Sequence, residues 1–310
     1  MLSASLTAFM SGGANLTSRT LPAMGPDTEW VLFLRLQKTG STSFEQHLRD
    51  MLHSIMGWGK ERSFGWTQLT CQSCSYGYKG IRPCRERGLC FVNGSCSQRP
   101  WPRLLVDNVP HLTLGDAAAL LPVPIHSPQV VVVTWLRHPF TRVESEFSHT
   151  SGTPGWDYDG AYNVSACGEL TFNNWLRCET TSRGASNRQT RMLSGDADSC
   201  AAPTHKSLAA AKRTLAKVVA WFGLFECTQL SLCLLAHQLF AGAARVPTLP
   251  EANKVHGTTW ASVAEHITPE ALVALRERND LDLELVHFAR DLLVTRAKGT
   301  ACASEGCLLR

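Results

Sequence analysis

The clearest pattern in the chain is a set of apolar runs that end in small or charged residues and lead into helical periodicity. Trp30 to Leu36 is such a run and predicts a buried strand. The residues after it recur at helical spacing and predict a helix with Ser41 or Thr42 as N-cap: Phe44, Leu48, Met51, Leu52, Ile55 and Met56. VVVVTWL, Val130 to Leu136, predicts a strand covered on both faces, and Arg142 to Phe147 begins another helix.

Further helical patterns fill the second half of the chain. They cover Ser207 to Trp221, Thr228 to Phe240, and a stretch from Thr268 to about Arg296 that has Pro269 in its first turn and can break at Asn279-Asp280. Residues Gly57 to Pro110 show no clear periodicity and predict an irregular, Cys-rich insert. Strands that feed helices in this way predict an α/β fold with a parallel sheet flanked by helices.

The composition is that of a folded protein and is compatible with an anionic ligand. The 310 residues are 44% hydrophobic and 18% charged, which allows a large core in one or two domains. A net charge of +4 is too small to indicate nucleic acid as a partner. The sequence holds no run of about 18 apolar residues, and residues 1–30 lack the apolar core of a signal peptide, so we expect that a leader is missing.

The 12 cysteines indicate an oxidising compartment. Five of them fall between Cys71 and Cys96, inside the predicted insert, which is also basic. Cys71 and Cys74 have the spacing of half a zinc site, but a partner CxxC or HxxxH half is missing. Three N-glycosylation sequons fit a lumenal location: Asn15, Asn93 and Asn163. We therefore expect disulfides and no metal site.

The residues between the first strand and its helix are typical of an anion-binding loop. A loop of Gly and small hydroxyl residues points backbone N–H groups outward, where the helix dipole also favours negative charge. In the Walker loop of nucleotide triphosphatases the Lys follows the second Gly, whereas Lys38 precedes Gly40. The VVVVTWL strand ends in Arg137 rather than in a magnesium-binding Asp. The loop therefore predicts an anion held without a metal.

Five ordered stretches resemble the heparan sulfate 6-O-sulfotransferases, which use 3′-phosphoadenosine-5′-phosphosulfate (PAPS). LQKTGSTSF (36–44) is similar to the family's QKTGGTT, and WLRHPFTRVESEF (135–147) to its LRDPVSRYLSEW. The other stretches are ASNRQTRML (185–193), WFGLFE (221–226) and NDLDLELVHFARDLL (279–293). The Cys-rich block also lies where that family has one. Ser41 in place of the loop's second Gly and His138 in place of Asp are departures, and the family's N-terminal anchor is not seen.

The resemblance implies a P-loop NTPase-like α/β fold with PAPS as donor substrate and no metal. It implies that Lys38 contacts the 5′-phosphosulfate and that Arg137 and Ser145 bind the 3′-phosphate. The residues expected to bind the donor are Gln37, Lys38, Thr39, Gly40, Ser41, Thr42, Ser43, Arg137 and Ser145. Arg188, Gln189 and Arg191 are expected either to contact donor or acceptor or to pack their helix. Lys254 and Thr258 are expected to close over the adenine.

Two residues are expected to be catalytic, Lys38 and His111. Lys38 would stabilise charge on the departing phosphate oxygen. His111, in DNVPHLTLGDAAAL, matches the family's base-bearing GLHADWTEL and would take the proton of the acceptor hydroxyl. His138 and His149 are the reserve candidates for the base because both lie close to the donor segment, and Glu144 is a carboxylate alternative.

The predicted organisation is a disordered leader or stem remnant at 1–29, a sulfotransferase domain at 30–298 with the insert at about 60–105, and a tail at 299–310. The resemblance implies sulfation of a polysaccharide acceptor, first of all the 6-O position of a heparan-sulfate-like glycan. It places this activity in the Golgi lumen, with secretion as the second choice and a membrane anchor only outside this sequence. A tyrosine acceptor, as for the plant-type protein-tyrosine sulfotransferases, stays open. So do a non-catalytic glycan-binding module and a small-molecule kinase.

Overall fold

A parallel sheet carries the fold. The computed structural model describes residues 24, 27–36, 38–58, 114, 121, 123–151, 164–178, 186–195, 202–240 and 266–307, with backbone alone at 65–67, 104–107, 149–150, 152 and 164. The strands are β1 (Trp30–Leu34), β2 (Gly65–Thr67), β3 (Leu104–Asp107), β4 (Val130–Leu136) and β5 (Trp221–Leu224). They pair in the order β2-β3-β1-β4-β5, and every pairing is parallel. The predicted parallel sheet is confirmed.

Helices flank this sheet, as the periodicity predicts. The first four are α1 (Ser41–Met56), α2 (Pro139–Gly152), α3 (Val164–Cys167) and α4 (Phe172–Arg177). The others are α5 (Arg188–Ser194), α6 (His205–Lys217), α7 (Thr228–Leu239), α8 (Pro269–Arg278) and α9 (Asp280–Ala297). Short 3-10 turns cover Phe225–Cys227 and Ala301–Ser304. The long C-terminal stretch does break at Asn279, as expected.

Two of the sequence predictions are wrong in part. Residues 57–110 are not irregular throughout, because β2 and β3 lie inside them. These strands have three and four residues, which is too short for a recognisable period. The helix expected to reach Trp221 ends at Lys217, and Trp221 instead begins β5. Several residues of the sequence predictions lie outside the described residues: Gln37, the cysteines from Cys71 to Cys96, His111, Lys254, Thr258 and the sequons at Asn15, Asn93 and Asn163.

The core lies on both faces of the central strands. All seven residues of β4 are buried, as a strand between two helical layers requires. Phe44 of α1 packs on Trp135 and Trp221, with ring centroids 4.8 Å away in both cases. Gly223 permits this packing, because a Cβ there would lie 2.4 Å from the Trp135 ring. The aromatic cluster therefore fixes α1 against the sheet directly behind the loop that precedes this helix.

Disulfides join the C-terminal segment to the turn after β5 and to α7, which confirms the expectation of disulfide bonds. Cys227, in the turn after β5, is bonded to Cys307, and Cys233 of α7 is bonded to Cys302. A further bond joins Cys167 and Cys178 across α3 and α4. The Cys227 bond ties down the turn that also carries Phe225 and Glu226.

The sheet order determines where a ligand site lies. The chain leaves β1 toward β2 and β3 on one side, and leaves β4 toward β5 on the other. Ligands of open parallel sheets bind beyond the carboxyl ends of the strands at such a switch point. The loops that follow β1 and β4 meet there, and they contain Lys38 and Arg137.

Candidate anion-binding site

The β1–α1 junction turns through two left-handed residues. Lys38 has φ 63° and Gly40 has φ 84°, and Gly40 rather than Ser41 or Thr42 is the N-cap of α1. The predicted side-chain cap is therefore wrong. The first helical hydrogen bond runs from the Phe44 N–H to the Gly40 carbonyl at 3.2 Å. The backbone N–H groups of the first helical turn lie at the positive end of the helix dipole, where an anion is favoured.

The side chains of this junction divide into inward and outward groups. Thr39 is fully buried and donates to the Leu36 carbonyl at 2.7 Å, so only its backbone is available to an anion. Ser41 is also buried, and Ser43 is half-buried. Thr42 is exposed, and its hydroxyl oxygen accepts a hydrogen bond of 2.6 Å from the Arg35 guanidinium. Its hydroxyl hydrogen is then directed away from Arg35 and can serve as a donor.

Lys38 is a half-buried amine in a positive environment. Burial lowers its pKa to about 8, the carboxylate of Glu146 opposes this shift, and Arg35, Arg188 and Arg137 add to it. An ammonium held among cations gains more from an incoming anion than a lysine exposed to water does. The electrostatics of the junction therefore favour a negatively charged ligand.

The β4–α2 junction contributes a fixed guanidinium. Arg137 donates from Nη1 to the Lys38 carbonyl at 3.2 Å and from Nε to the Thr141 hydroxyl at 3.1 Å. Burial lowers the pKa of Arg137, while Glu226 and Glu144 raise it. The guanidinium carbon lies 4.6 Å from the ring centroid of Phe225, which is itself 44% exposed. These contacts hold Arg137 beside the loop of Lys38.

Two side chains from other segments clamp the backbone of this junction. The amide of Gln189 accepts from the Arg137 N–H at 3.0 Å and donates to the Arg137 carbonyl at 2.9 Å. Glu226 accepts from the His138 N–H at 2.9 Å. The oxygen and the nitrogen of the Gln189 amide thus both bind the backbone of Arg137, which is a structural role. Ligand contact by Gln189 stays a prediction. Apart from the position of Glu226 in WFGLFE, no pattern in the sequence indicates that this carboxylate binds the His138 backbone.

Arg188 lies in a buried cluster of charges behind Lys38. Its Nη1 is 3.1 Å from Oε2 of Glu146, and Nη1 of Arg142 is 3.3 Å from the same oxygen. The helix that carries Arg188 is held by Asp282 of α9, whose carboxylate accepts from the N–H groups of Gln189 and Thr190 at 3.0 and 2.7 Å. The stretches ASNRQTRML and NDLDLEL are far apart in sequence, and these hydrogen bonds join them in the fold.

The remaining predicted residues are placed as follows. Ser145 is half-buried on α2, one turn beyond Thr141 and so on the same helix face as the residue that holds Arg137. Arg191 donates to the Ser186 carbonyl at 2.8 Å, a contact within its own segment. Whether Ser145 or Arg191 meets a ligand stays a prediction, as does the role of His111. The side chain of His149 is outside the described residues.

His138 is a poor candidate for the base. Burial, with His287 and Arg137 nearby, lowers its pKa to about 4. A general base works best with a pKa near the operating pH, and an imidazole this acidic accepts protons weakly. His138 is neutral at pH 7 and adds no charge to the site.

Comparison with known proteins gives one distant similarity that is consistent with this site. The chain is 27% identical over 293 residues to heparan-sulfate 6-O-sulfotransferase 2 of Danio rerio. The aligned region covers 86% of this chain and 58% of that relative, so the chain spans little more than half of the relative's length. No family model matches the sequence. The chain is similar to a sulfotransferase along most of its length.

The described residues contain neither a membrane-spanning helix nor a cluster of metal-binding side chains. None of the helices described here has an apolar stretch of the length that a bilayer crossing needs. In the same part of the chain, no three side chains of His, Cys, Asp or Glu gather as a metal site would require.

Proposed function

We propose that this protein is a PAPS-dependent sulfotransferase that acts on a hydroxyl of a polysaccharide, with a heparan-sulfate-like glycan and its 6-O position as the first choice. The observation that carries the proposal is the meeting of Lys38 and Arg137, joined by a 3.2 Å hydrogen bond, at the carboxyl edge of the sheet. One side of this pair is a left-handed backbone loop and the other a fixed guanidinium. The distant similarity to a heparan-sulfate 6-O-sulfotransferase supports the same proposal.

The two junctions suit the two charged ends of the donor. The loop from Gln37 to Ser43 would hold the 5′-phosphosulfate with backbone N–H groups, the Thr42 hydroxyl and the Lys38 ammonium. Arg137 and Ser145 would hold the 3′-phosphate. The exposed ring of Phe225, against the Arg137 guanidinium, offers a flat surface of the kind on which nucleobases stack. The parallel sheet with an anion loop after β1 also supports a P-loop NTPase-like fold.

The reaction needs little beyond positioning and charge stabilisation. The acceptor oxygen forms a bond to sulfur while the bond from sulfur to the phosphate oxygen breaks, and the negative charge moves to that phosphate. Lys38 would stabilise this charge, as electrostatic groups do when they face the place where charge develops. His111 would take the proton of the acceptor hydroxyl. None of these steps routes through a metal.

The Golgi lumen is the compartment we infer for this activity. The disulfides Cys227–Cys307 and Cys233–Cys302 support it, because such bonds form in oxidising compartments. The three sequons of the sequence fit the same location.

A transfer assay tests the proposal. The protein is incubated with donor labelled in the sulfuryl group and with a panel of desulfated heparan-type glycans and tyrosine peptides. We expect label on a glycan, and we expect Lys38→Ala to abolish most of it. Label on the peptides alone would identify a tyrosine sulfotransferase instead. Tight donor binding without transfer to any member of the panel would favour the glycan-binding module.

A further inference from the structure

The buried cluster behind Lys38 is centred on one carboxylate. Glu146 is 2% exposed, and its Oε2 contacts guanidiniums from two helices, Arg142 of α2 at 3.3 Å and Arg188 of α5 at 3.1 Å. Arg142 is fully buried, and Arg188 is nearly so. The mutual repulsion of cations buried this deeply is offset only when a negative charge lies among them. Glu146 is the group that supplies it.

Lys38 belongs to the same electrostatic unit. The charged groups that act on it come from four places: Arg35 after β1, Arg137 after β4, Glu146 of α2 and Arg188 of α5. Within the described part of the chain, Glu146 is the one member of this set that stabilises the ammonium form of Lys38. The arginines and burial all act against it.

A purely structural ion pair would need less than this arrangement provides. Arg142 and Glu146 are four residues apart on α2 and could pair without any other segment. Arg188 brings a second helix, α5, to the same oxygen. Asp282 holds α5 through the Gln189 N–H. The carboxylate therefore joins α2, the helix of the second junction, to α5, the helix of Arg188.

We propose that Glu146 is a positioning residue of the anion site, whose buried carboxylate holds Arg188 against α2 and adds a negative charge to the cluster of cations that includes Lys38. The ligand class is an anion with a phosphate or sulfate group. The inference deepens the proposed function, since that anion is then the phosphosulfate of the donor. Glu146 itself is too deeply buried to be expected to contact the donor.

Two substitutions should move the titration of Lys38 in opposite directions. Glu146→Gln removes the one favourable charge and should lower the pKa of Lys38 by about one unit, the scale of a nearby charge. Arg188→Gln removes a repelling charge and leaves Glu146 with one cation fewer to pair with. This substitution should therefore raise the pKa of Lys38. The readout is NMR of ¹³C-methylated lysines, in which the Lys38 signal is identified by its loss in Lys38→Arg. The control is Glu284→Gln, which removes a surface carboxylate paired with Lys212 and should leave the pKa of Lys38 unchanged.

Opposite shifts are the result that supports the proposal, because general destabilisation would not change sign between the two variants. Shifts of the same sign, or no shift in either, would overturn it. If Glu146→Gln fails to fold, Arg188→Gln carries the test alone: an upward shift supports the proposal, and an unchanged or lowered pKa contradicts it.

Binding of 3′,5′-adenosine bisphosphate separates this inference from the proposed function. Calorimetry across pH 6 to 10 should show wild-type affinity falling as Lys38 loses its proton, and in Glu146→Gln the fall should begin about one pH unit lower. The midpoints are compared, since removal of a carboxylate also changes absolute affinity for an anion. An unchanged midpoint in Glu146→Gln contradicts the inference and leaves the function standing. No binding by the wild type at any pH contradicts the proposed function, whatever the NMR titration gives.

Discussion

The β1–α1 and β4–α2 junctions lie side by side at one edge of the sheet, and they are built in different ways. The first is a loop whose shape comes from its own residues, with left-handed backbone at Lys38 and Gly40. The second is only Arg137 and His138, and it is held by side chains from distant segments, Gln189 and Glu226. The first offers backbone N–H groups and the half-buried ammonium of Lys38. The second offers a guanidinium that is fixed.

This difference determines how each junction should fail. A substitution within the first loop acts directly on the predicted anion-binding backbone, because the left-handed residues Lys38 and Gly40 belong to the loop itself. The second junction should also fail through substitutions far away in the sequence, since Gln189 holds the backbone of Arg137. Mutations in the two junctions can therefore test the division of work between them.

The largest effect is expected from the loss of Lys38. Lys38→Ala should lower turnover by about 100- to 1,000-fold, the usual cost of losing one group that stabilises developing charge. It should also weaken binding of 3′,5′-adenosine bisphosphate by about 1.5–3 kcal/mol. Steady-state kinetics and calorimetry measure the two effects, with Lys212→Ala as a surface control. Near-normal turnover in Lys38→Ala would mean that the first junction only binds.

His111 belongs to neither junction in the sequence and is expected to affect chemistry alone. His111→Ala should lower turnover by about 100-fold, the lower end of what a general base contributes, and leave donor affinity unchanged. Lys38→Ala in parallel should change both quantities, so the pair separates binding from proton transfer. If a folded His111→Ala enzyme kept its turnover, the base would have to be sought among carboxylates such as Glu144.

Removal of the distant clamp tests the second junction. Gln189→Leu leaves the buried N–H and carbonyl of Arg137 without their partner, which should cost about 1–3 kcal/mol of unfolding free energy. It should also loosen Arg137 and weaken binding of the 3′-phosphate. Urea denaturation measures the first effect. Gln46→Leu, the same change on an exposed face of α1, should cost less than about 0.5 kcal/mol. Equal costs would show that the clamp adds nothing.

A smaller effect is expected where the first junction depends on glycine. Gly40→Ala places a side chain at φ 84° and a Cβ 2.8 Å from the Phe225 ring. The left-handed backbone should cost about 1–2 kcal/mol. Gly57→Ala is the matched control, since Gly57 has φ 66° and open space around it. Any excess cost at Gly40 measures the Phe225 contact, and Gly40→Ala with Phe225→Ala should remove that excess. Equal costs at both glycines would show that Phe225 simply moves aside.

These two junctions also show what sequence could predict here. The apolar run of Val130 to Leu136 and the small residues after Leu36 are local signals, so β4, β1, α1 and the loop between β1 and α1 could be predicted from the sequence. β2 and β3 are too short to carry a period and depend on pairing with the sheet. The N-cap prediction failed because the loop reaches α1 through a left-handed Gly40, which hydroxyl residues nearby do not reveal.

The clamps could not be predicted because their partners lie far away in the chain. Gln189 and Arg137 are 52 residues apart, and Asp282 and Gln189 are 93 residues apart. The residue types involved, Gln, Glu and Asp, occur on any solvated helix, and nothing local distinguishes these. Asp282 and Glu226 stood in stretches that were singled out by resemblance, yet their contacts became visible only when the fold brought these stretches together.

The central claim is that the two junctions together hold a nucleotide with phosphate at the 3′ position and a charged group at the 5′ position. Calorimetry of 3′,5′-adenosine bisphosphate against adenosine 5′-monophosphate, both with a chelator present, tests it most directly. We expect the bisphosphate to bind more tightly by about 1.5–3 kcal/mol, the worth of a charged hydrogen bond to one phosphate, and Arg137→Ala to erase the difference. Equal affinity for the two nucleotides, or bisphosphate binding that requires added magnesium, would contradict the account.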